Sequence, residues 1–195
     1  MTNKTDSLVA RLNEHMGRTV FSTEIGKCGF EESSLPFYPD AKMLKATTFT
    51  TRPVITRKFI FNENDIITLD GTEDSIEEVN AVFAPVINDE TVVAYLKFFF
   101  DSVAVPGGRL ALIENVDDLK LTQDASDELK SALQKLIAAP VITKDGNAFF
   151  VKTFVLFDTT LYHAEMTVLA KGEVEMTDQE TAYENLPVER KVYLR

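Results

Sequence analysis

The final third of the sequence alternates strand-forming residues with turn residues. Two long runs rich in β-branched and aromatic residues, at about 148–157 and 160–170, are separated by only two residues, and Asp145-Gly146 supplies turn chemistry before the first run. Because turns this short join antiparallel neighbours, the pattern predicts a meander of consecutive strands. This region excludes an α/β fold in which helices alternate with parallel strands throughout.

Upstream, the sequence predicts one hairpin and several helices. Threonine-rich and apolar runs from Met43 to Leu69 flank a polar turn, which predicts antiparallel strands. Amphipathic segments with caps and stops predict helices between Ser7 and Gly17, Ser75 and Pro85, Asn88 and Pro106, and Asp124 and Pro140. The predicted fold class is α+β, with an antiparallel sheet (N-terminal hairpin plus C-terminal meander) packed by three to four helices on one face.

The length of 195 residues fits one domain, so we predict a single domain over residues 1–195. Glycines and prolines are concentrated at about 26–40, which predicts an irregular arm there. The residues from about 178 onward are mostly polar, which predicts a C-terminal tail that frays.

Charge and composition exclude several classes of partner. The chain has 31 acidic and 20 basic residues, a net charge of −11, without the dense basic stripe that binds nucleic-acid phosphates. The same acidity disfavours anionic lipid surfaces, and no apolar run approaches the roughly 20 residues that span a bilayer. One cysteine cannot form an internal disulfide. We therefore expect a soluble cytoplasmic protein with no nucleic-acid and no membrane partner.

Catalytic and metal-binding motifs are absent from the sequence. It lacks a phosphate-binding Walker loop, a G-x-S-x-G nucleophile elbow, an H-E-x-x-H metal site and a calcium-binding EF-hand loop. We expect no cofactor and no metal. Cys28 lies between Lys27 and Gly29, without a base nearby in sequence, and we interpret it as a spare thiol in a loop. No segment carries the signature of a characterised family.

The run 148–157 is apolar on both faces, which makes it the main candidate for a binding surface. Alternation along the next strand puts His163 and Glu165 on one face, where the preceding strand contributes Phe150, Phe154 or Leu156. An apolar floor with a few polar groups is typical of ligand pockets and of self-association surfaces. The sequence does not identify a specific activity. We expect a non-catalytic binding or protein-interaction domain that holds a small apolar ligand, a protein partner or a second copy in a homodimer.

Two alternatives remain open from the sequence. The first is a small-substrate enzyme in which His163 is a general base oriented by Glu165, which requires the imidazole to lie in a concavity. The second is a regulatory protein that docks on its partner through the arm at 26–40. A third arrangement of the apolar face is also consistent with the pattern: another element of the chain covers it.

Overall fold

The structure is a computed structural model that describes residues 4–108 and 110–189. These residues form two antiparallel sheets, of four and five strands, and four α-helices, which confirms the predicted α+β class. The chain divides between Ala84 and Pro85 into two compact units. The predicted hairpin belongs to the sheet of the first unit, and the predicted meander to the sheet of the second. That the whole chain is one domain stays a prediction.

The N-terminal unit is a four-stranded sheet with a helix before it and a helix after it. Its strands lie in chain order and pair antiparallel throughout. The elements are α1 (Lys4–His15), β1 (Cys28–Leu35), β2 (Tyr38–Thr48), β3 (Ile55–Phe61), β4 (Ile66–Leu69) and α2 (Glu73–Phe83).

The prediction of an irregular arm at 26–40 is wrong, because most of those residues belong to β1 and β2. β1 is an edge strand, and its central residues, 31–34, are exposed although they pair with β2. A strand that is bonded on one side only and buries little needs no apolar alternation. The hydrophobic period that identifies a strand in sequence is therefore missing from β1.

Helix α1 covers part of one face of this sheet. Val9 and Leu12 are buried against Leu44, Ala46 and Phe59, since alternation along β2 directs Leu44 and Ala46 to the same side. The end of α1 is tied to the following segment by a single side chain. The Asn13 amide oxygen accepts from the backbone N–H groups of the next apolar segment, and its Nδ2 donates to the Phe21 carbonyl.

The C-terminal unit contains α3 (Val92–Ser102), β5 (Leu110–Ile113), a 3₁₀ helix (Val116–Leu119), α4 (Asp127–Leu136), β6 (Val141–Asp145), β7 (Ala148–Phe157), β8 (Thr160–Leu169) and β9 (Val174–Tyr183). The strand order is β5-β7-β8-β9, and β6 pairs with the other half of the β7 edge that β5 occupies. The Tyr95 hydroxyl of α3 donates to the Gly172 carbonyl at the β8–β9 turn, at 2.7 Å.

Both faces of β7 contribute buried side chains. Phe149, Val151 and Val155 are buried on one face. On the other face, seven buried side chains form a cluster: Ile113, Leu119, Leu133, Phe154, Leu161, Leu186 and Val188. This cluster brings α4, the 3₁₀ helix and the chain after β9 onto the β5 end of the sheet.

The described residues from about 178, predicted as a polar tail, are mostly exposed, but those up to 188 take part in the fold. Residues up to Tyr183 belong to β9, and beyond the strand Leu186 and Val188 are 2% and 8% exposed. Val188 also forms a β-bridge with Leu121. Only two apolar residues in a polar segment produce this burial, so neither helical nor strand periodicity indicates it. Residues 190–195 lie outside the described residues.

Candidate functional site

A cavity of about 730 Å³ lies in the N-terminal unit, between α1 and the end of the sheet where β1 turns into β2. Its upper wall consists of Ser7, Leu8 and Arg11, from the first turns of α1. The β1–β2 turn with the strand residues on either side of it, within 35–41, and the residues after β3, Asn62 and Glu63, complete the sides. The cavity is therefore made by segments that are far apart in sequence.

The floor of the cavity is a row of side chains across three strands. Ser34 of β1 pairs with Lys42 of β2, which pairs with Phe61 of β3, so all three share one face. Glu32, two residues before Ser34, lies on the same face and also lines the cavity. This is the face that α1 covers further along. The helix contacts the apolar rows and leaves the more polar row open.

Arg11 is the half-buried charge of the cavity wall. Its Nη2 donates to the backbone carbonyl of Asn62 at 2.9 Å. Within the described part of the chain, no carboxylate oxygen lies within the 4.0 Å of an ion pair with this guanidinium. The guanidinium is thus held in place by a neutral acceptor and forms no ion pair with a described residue.

Lys42 contributes a second cation to the cavity, which is paired. Its Nζ lies 3.1 Å from Oε2 of Glu32, and the two side chains are 49% and 34% exposed. Solvent-accessible pairs of this kind contribute about 0–1 kcal/mol. The remaining acids of the lining, Asp40 and Glu63, are exposed. The lining therefore has three acidic and two basic side chains, of which Arg11 is the half-buried one and the other four are exposed.

The described lining offers groups for binding and lacks a nucleophile–base pair. It contains neither of the two histidines nor the cysteine. His15 points its Nε2 to the Thr68 hydroxyl at 2.9 Å, and the Cys28 thiol accepts from the Ser22 backbone N–H at 3.4 Å. Among the described residues, no three metal-ligating side chains gather in one place. The lining residues can recognise a ligand by hydrogen bonds, charge and apolar contact.

His163 and Glu165 share a face of β8, but the structure gives them different partners. The His163 ring is exposed and lies against the Phe154 ring, with 5.2 Å between ring centroids. The Glu165 carboxylate pairs with Lys152 on β7, at 3.1 Å. The face is thus a solvated cross-strand ladder at this point, and a role for either residue in catalysis stays a prediction.

The three apolar candidates on the same face are divided between core and surface. Phe154 is 7% exposed and belongs to the buried cluster, and Leu156 packs against it. Phe150 is half-buried, beyond the cluster. Part of the apolar face of β7 is therefore covered by α4 and the residues after β9, as in the third arrangement considered from the sequence.

Sequence reasoning missed Arg11, Ser34, Lys42 and Phe61. One signal pointed toward this part of the chain: residues 41–62 contain five basic residues and no acidic one, although the whole chain carries −11. Such an interval marks a region where anions are not repelled. It does not reveal Arg11, which comes to the same place only through the packing of α1.

In the part of the chain that the structure describes, no helix combines the length and the apolar character needed to cross a bilayer. Comparisons of the chain with protein-family models, with curated proteins and with solved structures find no match in any of the three.

Proposed function

We propose that this protein is a non-catalytic binding protein that holds a small organic molecule in the cavity between α1 and the β1–β2 end of the sheet. The volume of about 730 Å³ carries the proposal. Cavities that hold small ligands measure about 300–1,000 Å³. The binding function expected from the sequence is retained, and its place moves from β7 to the N-terminal sheet.

The composition of the lining supports a small ligand. Leu8, Leu35 and Phe61 supply apolar contact, while Arg11 and Lys42 are placed to orient a polar group. A few fixed polar groups among apolar surfaces are typical of ligand sites, since burial supplies affinity and the polar groups supply specificity. The described lining contains no histidine or cysteine, and its acid–base groups are carboxylates, one tyrosine and one lysine.

Two adjacent serines of β1 allow a matched test. Ser34 lines the cavity floor, whereas Ser33 is exposed on the opposite face of the same strand. We expect the wild-type protein to bind the apolar fluorescent probe N-phenyl-1-naphthylamine with a stoichiometry of one. The Ser34→Phe variant fills the cavity and is expected to reduce probe affinity about tenfold or more, whereas Ser33→Phe leaves it unchanged.

Fluorescence titration measures the affinities, and thermal unfolding confirms that both variants are folded. Equal loss in both variants, equal retention in both, or no binding to the wild-type protein contradicts the proposal. A cytoplasmic location, self-association, a protein partner, and the exclusion of nucleic-acid and membrane partners stay predictions from the sequence.

A further inference from the structure

We propose that the molecule held in the cavity carries a single negative charge, bound by the Arg11 guanidinium with Lys42 as a second cation. This inference rests on the proposed function and names the chemical class of its ligand: an organic monoanion, such as a carboxylate or sulfonate, with an apolar body. The unneutralised charge of Arg11 in the cavity wall carries it.

Arg11 combines partial burial and a place in the cavity wall with the absence of an ion pair to any described residue. With 31 acidic side chains against 20 basic ones, carboxylates are abundant, yet none of those described pairs with this half-buried guanidinium. A charge that is partly removed from water is stabilised when an opposite charge replaces the lost hydration. A ligand anion supplies that charge. Its binding therefore offsets the free energy that the guanidinium loses when it is partly removed from water.

The geometry favours an anion with two oxygen atoms that accept parallel hydrogen bonds at this position. The bond from Nη2 to the Asn62 carbonyl fixes the guanidinium at the cavity wall. A guanidinium has several N–H donors in a rigid fork and binds carboxylates through two parallel hydrogen bonds. Ser7, one helical turn before Arg11, and Ser34 on the floor also line the cavity and carry hydroxyl donors.

Lys42 can join the anion at little cost. Its ion pair with Glu32 is half-exposed, and such pairs contribute about 0–1 kcal/mol. An anion between Arg11 and Lys42 replaces that pair with a ligand contact. Asp40 and Glu63 oppose a higher charge, because both are acidic and exposed beside the cavity. The balance of these groups selects a monoanion over a dianion.

The apolar body of the ligand lies against Leu8 and Phe61. Phe61 is half-buried and belongs to the floor row, and Leu8 is half-buried in the wall above it. Both pack at the margin of the buried cluster under α1, so the ligand extends the hydrophobic core of this unit. Burial of apolar surface contributes about 25 cal/mol per Å².

The test compares two fluorescent probes that share one ring system. 1-Anilinonaphthalene-8-sulfonate carries a sulfonate, and N-phenyl-1-naphthylamine does not. The quantity measured is the ratio of their affinities, because this ratio cancels the apolar contribution. We expect Arg11→Gln to lower the ratio about tenfold, since a charge-assisted hydrogen bond contributes about 1.5–3 kcal/mol. Arg18→Gln, which changes an exposed arginine just after α1 outside the cavity lining, leaves the ratio unchanged.

Arg11→Lys keeps the charge without the two-pronged geometry and is expected to give an intermediate ratio. Raising the salt concentration is expected to weaken binding of the anionic probe and not of the neutral one. An unchanged ratio in Arg11→Gln, or equal changes in Arg11→Gln and Arg18→Gln, overturns the inference. If Arg11→Gln does not fold, an Arg11→Lys ratio equal to that of the wild-type protein, together with binding that is insensitive to salt, overturns it.

The failures of the two proposals are distinguishable. Suppose that the neutral probe binds, that Ser34→Phe abolishes its binding, and that Arg11→Gln leaves the affinity ratio unchanged. The cavity is then a ligand site, and the anion inference is wrong. If neither probe binds the wild-type protein, the proposed function is wrong, and the anion inference that rests on it is wrong as well.

Discussion

The two sheets of this protein have one face each that is covered by an amphipathic helix, but the cover differs in extent. On the C-terminal sheet, α4 acts together with the 3₁₀ helix and the chain after β9, and their cluster includes Phe154 and Leu161. On the N-terminal sheet, α1 covers the row of Leu44 and Phe59 and leaves the next row, which contains Lys42, open. A cavity thus exists where the covering elements end.

The covered row of one sheet and the open row of the other also differ in their side chains. The covered row of the C-terminal sheet contains aromatic and aliphatic side chains, which lower the free energy when they are buried. The open row of the N-terminal sheet contains Ser34 and Lys42, which bury little surface and keep their hydration. The comparison teaches that the aromatic strand, which is the most conspicuous feature in sequence, contributes to the core, while a mixed polar row lines the cavity proposed as the site.

The largest expected effect concerns the covered face. Phe154→Ala removes a side chain that is 7% exposed inside the cluster of α4, and we expect it to lower the free energy of unfolding by about 3–5 kcal/mol. Phe150→Ala, on the same face beyond the cluster, is expected to cost about 1 kcal/mol because that ring is only half-buried. Urea denaturation measures both.

Equal costs for the two phenylalanines would contradict the distinction between a covered and an open part of this face. Neither variant is expected to change probe affinity at the N-terminal cavity. A loss of probe binding in folded Phe150→Ala would indicate that the probe binds at β7, as first expected from the sequence.

The second prediction concerns the helix that forms the cavity wall. Asn13→Ala removes three hydrogen bonds that tie the end of α1 to the segment up to Phe21, at 2.8–2.9 Å. We expect the free energy of unfolding to fall by about 1–3 kcal/mol, because backbone groups lose their partners. Probe affinity is expected to fall as well, since Leu8 and Arg11 lose their fixed position. Asn64→Ala, at an exposed turn, is the control.

Local signals explain how much of the fold could be predicted. The period of apolar residues and the short polar turns identified the helices and the meander, since both signals lie within a few residues of one another. Helix α2 shows the limit of this accuracy: Thr72, and not Ser75, is its N-cap, and the Ser75 N–H donates to the Thr72 hydroxyl. β1 was missed because an exposed edge strand lacks the apolar period.

The site depends on information that no local pattern contains. Ser34, Lys42 and Phe61 form one row only through the register of three strands, and Arg11 joins them only through the packing of α1. On β8, alternation placed His163 and Glu165 on one face, but only the register with β7 puts Phe154 beside His163. Alternation did not predict the ion pair between Lys152 and the Glu165 carboxylate, because that contact depends on the register of β7 with β8.

A smaller effect is expected at Glu32, whose carboxylate competes with a ligand anion for Lys42. Glu32→Gln removes the carboxylate that pairs with Lys42, so this cation becomes available to an anionic ligand. We expect the affinity for 1-anilinonaphthalene-8-sulfonate to rise about threefold, in line with the 0–1 kcal/mol of an exposed pair. Fluorescence titration measures it. Glu31→Gln, on the opposite face of β1, is the matched control, and an equal rise in both variants would indicate only the general change in charge.

The smallest effect concerns Asp70, at the entry to α2 in the N-terminal unit. The hydroxyl and the backbone N–H of Thr72 donate to its carboxylate, at 2.6 and 2.9 Å, and they hold the pKa of Asp70 below its ordinary value of 3.8. A carboxylate with a lowered pKa in the folded state stabilises the fold above its unfolded-state pKa, and this contribution is lost as the pH falls through the folded-state pKa. Because the group is exposed, we expect Asp70→Asn to cost only a few tenths of a kcal/mol at neutral pH.

The difference in unfolding free energy between Asp70→Asn and the wild-type protein is expected to be present at neutral pH and to disappear in acid, at a pH below the lowered pKa of Asp70. It is also expected to shrink in a Thr72→Ala background, where the hydroxyl donor is absent, so urea titrations of the four proteins at both pH values give a double-mutant cycle. A difference that persists in acid would show that the asparagine acts on α2 through its shape, with no contribution from the charge. A difference that persists at neutral pH in the Thr72→Ala background would assign the stabilisation to the backbone N–H alone.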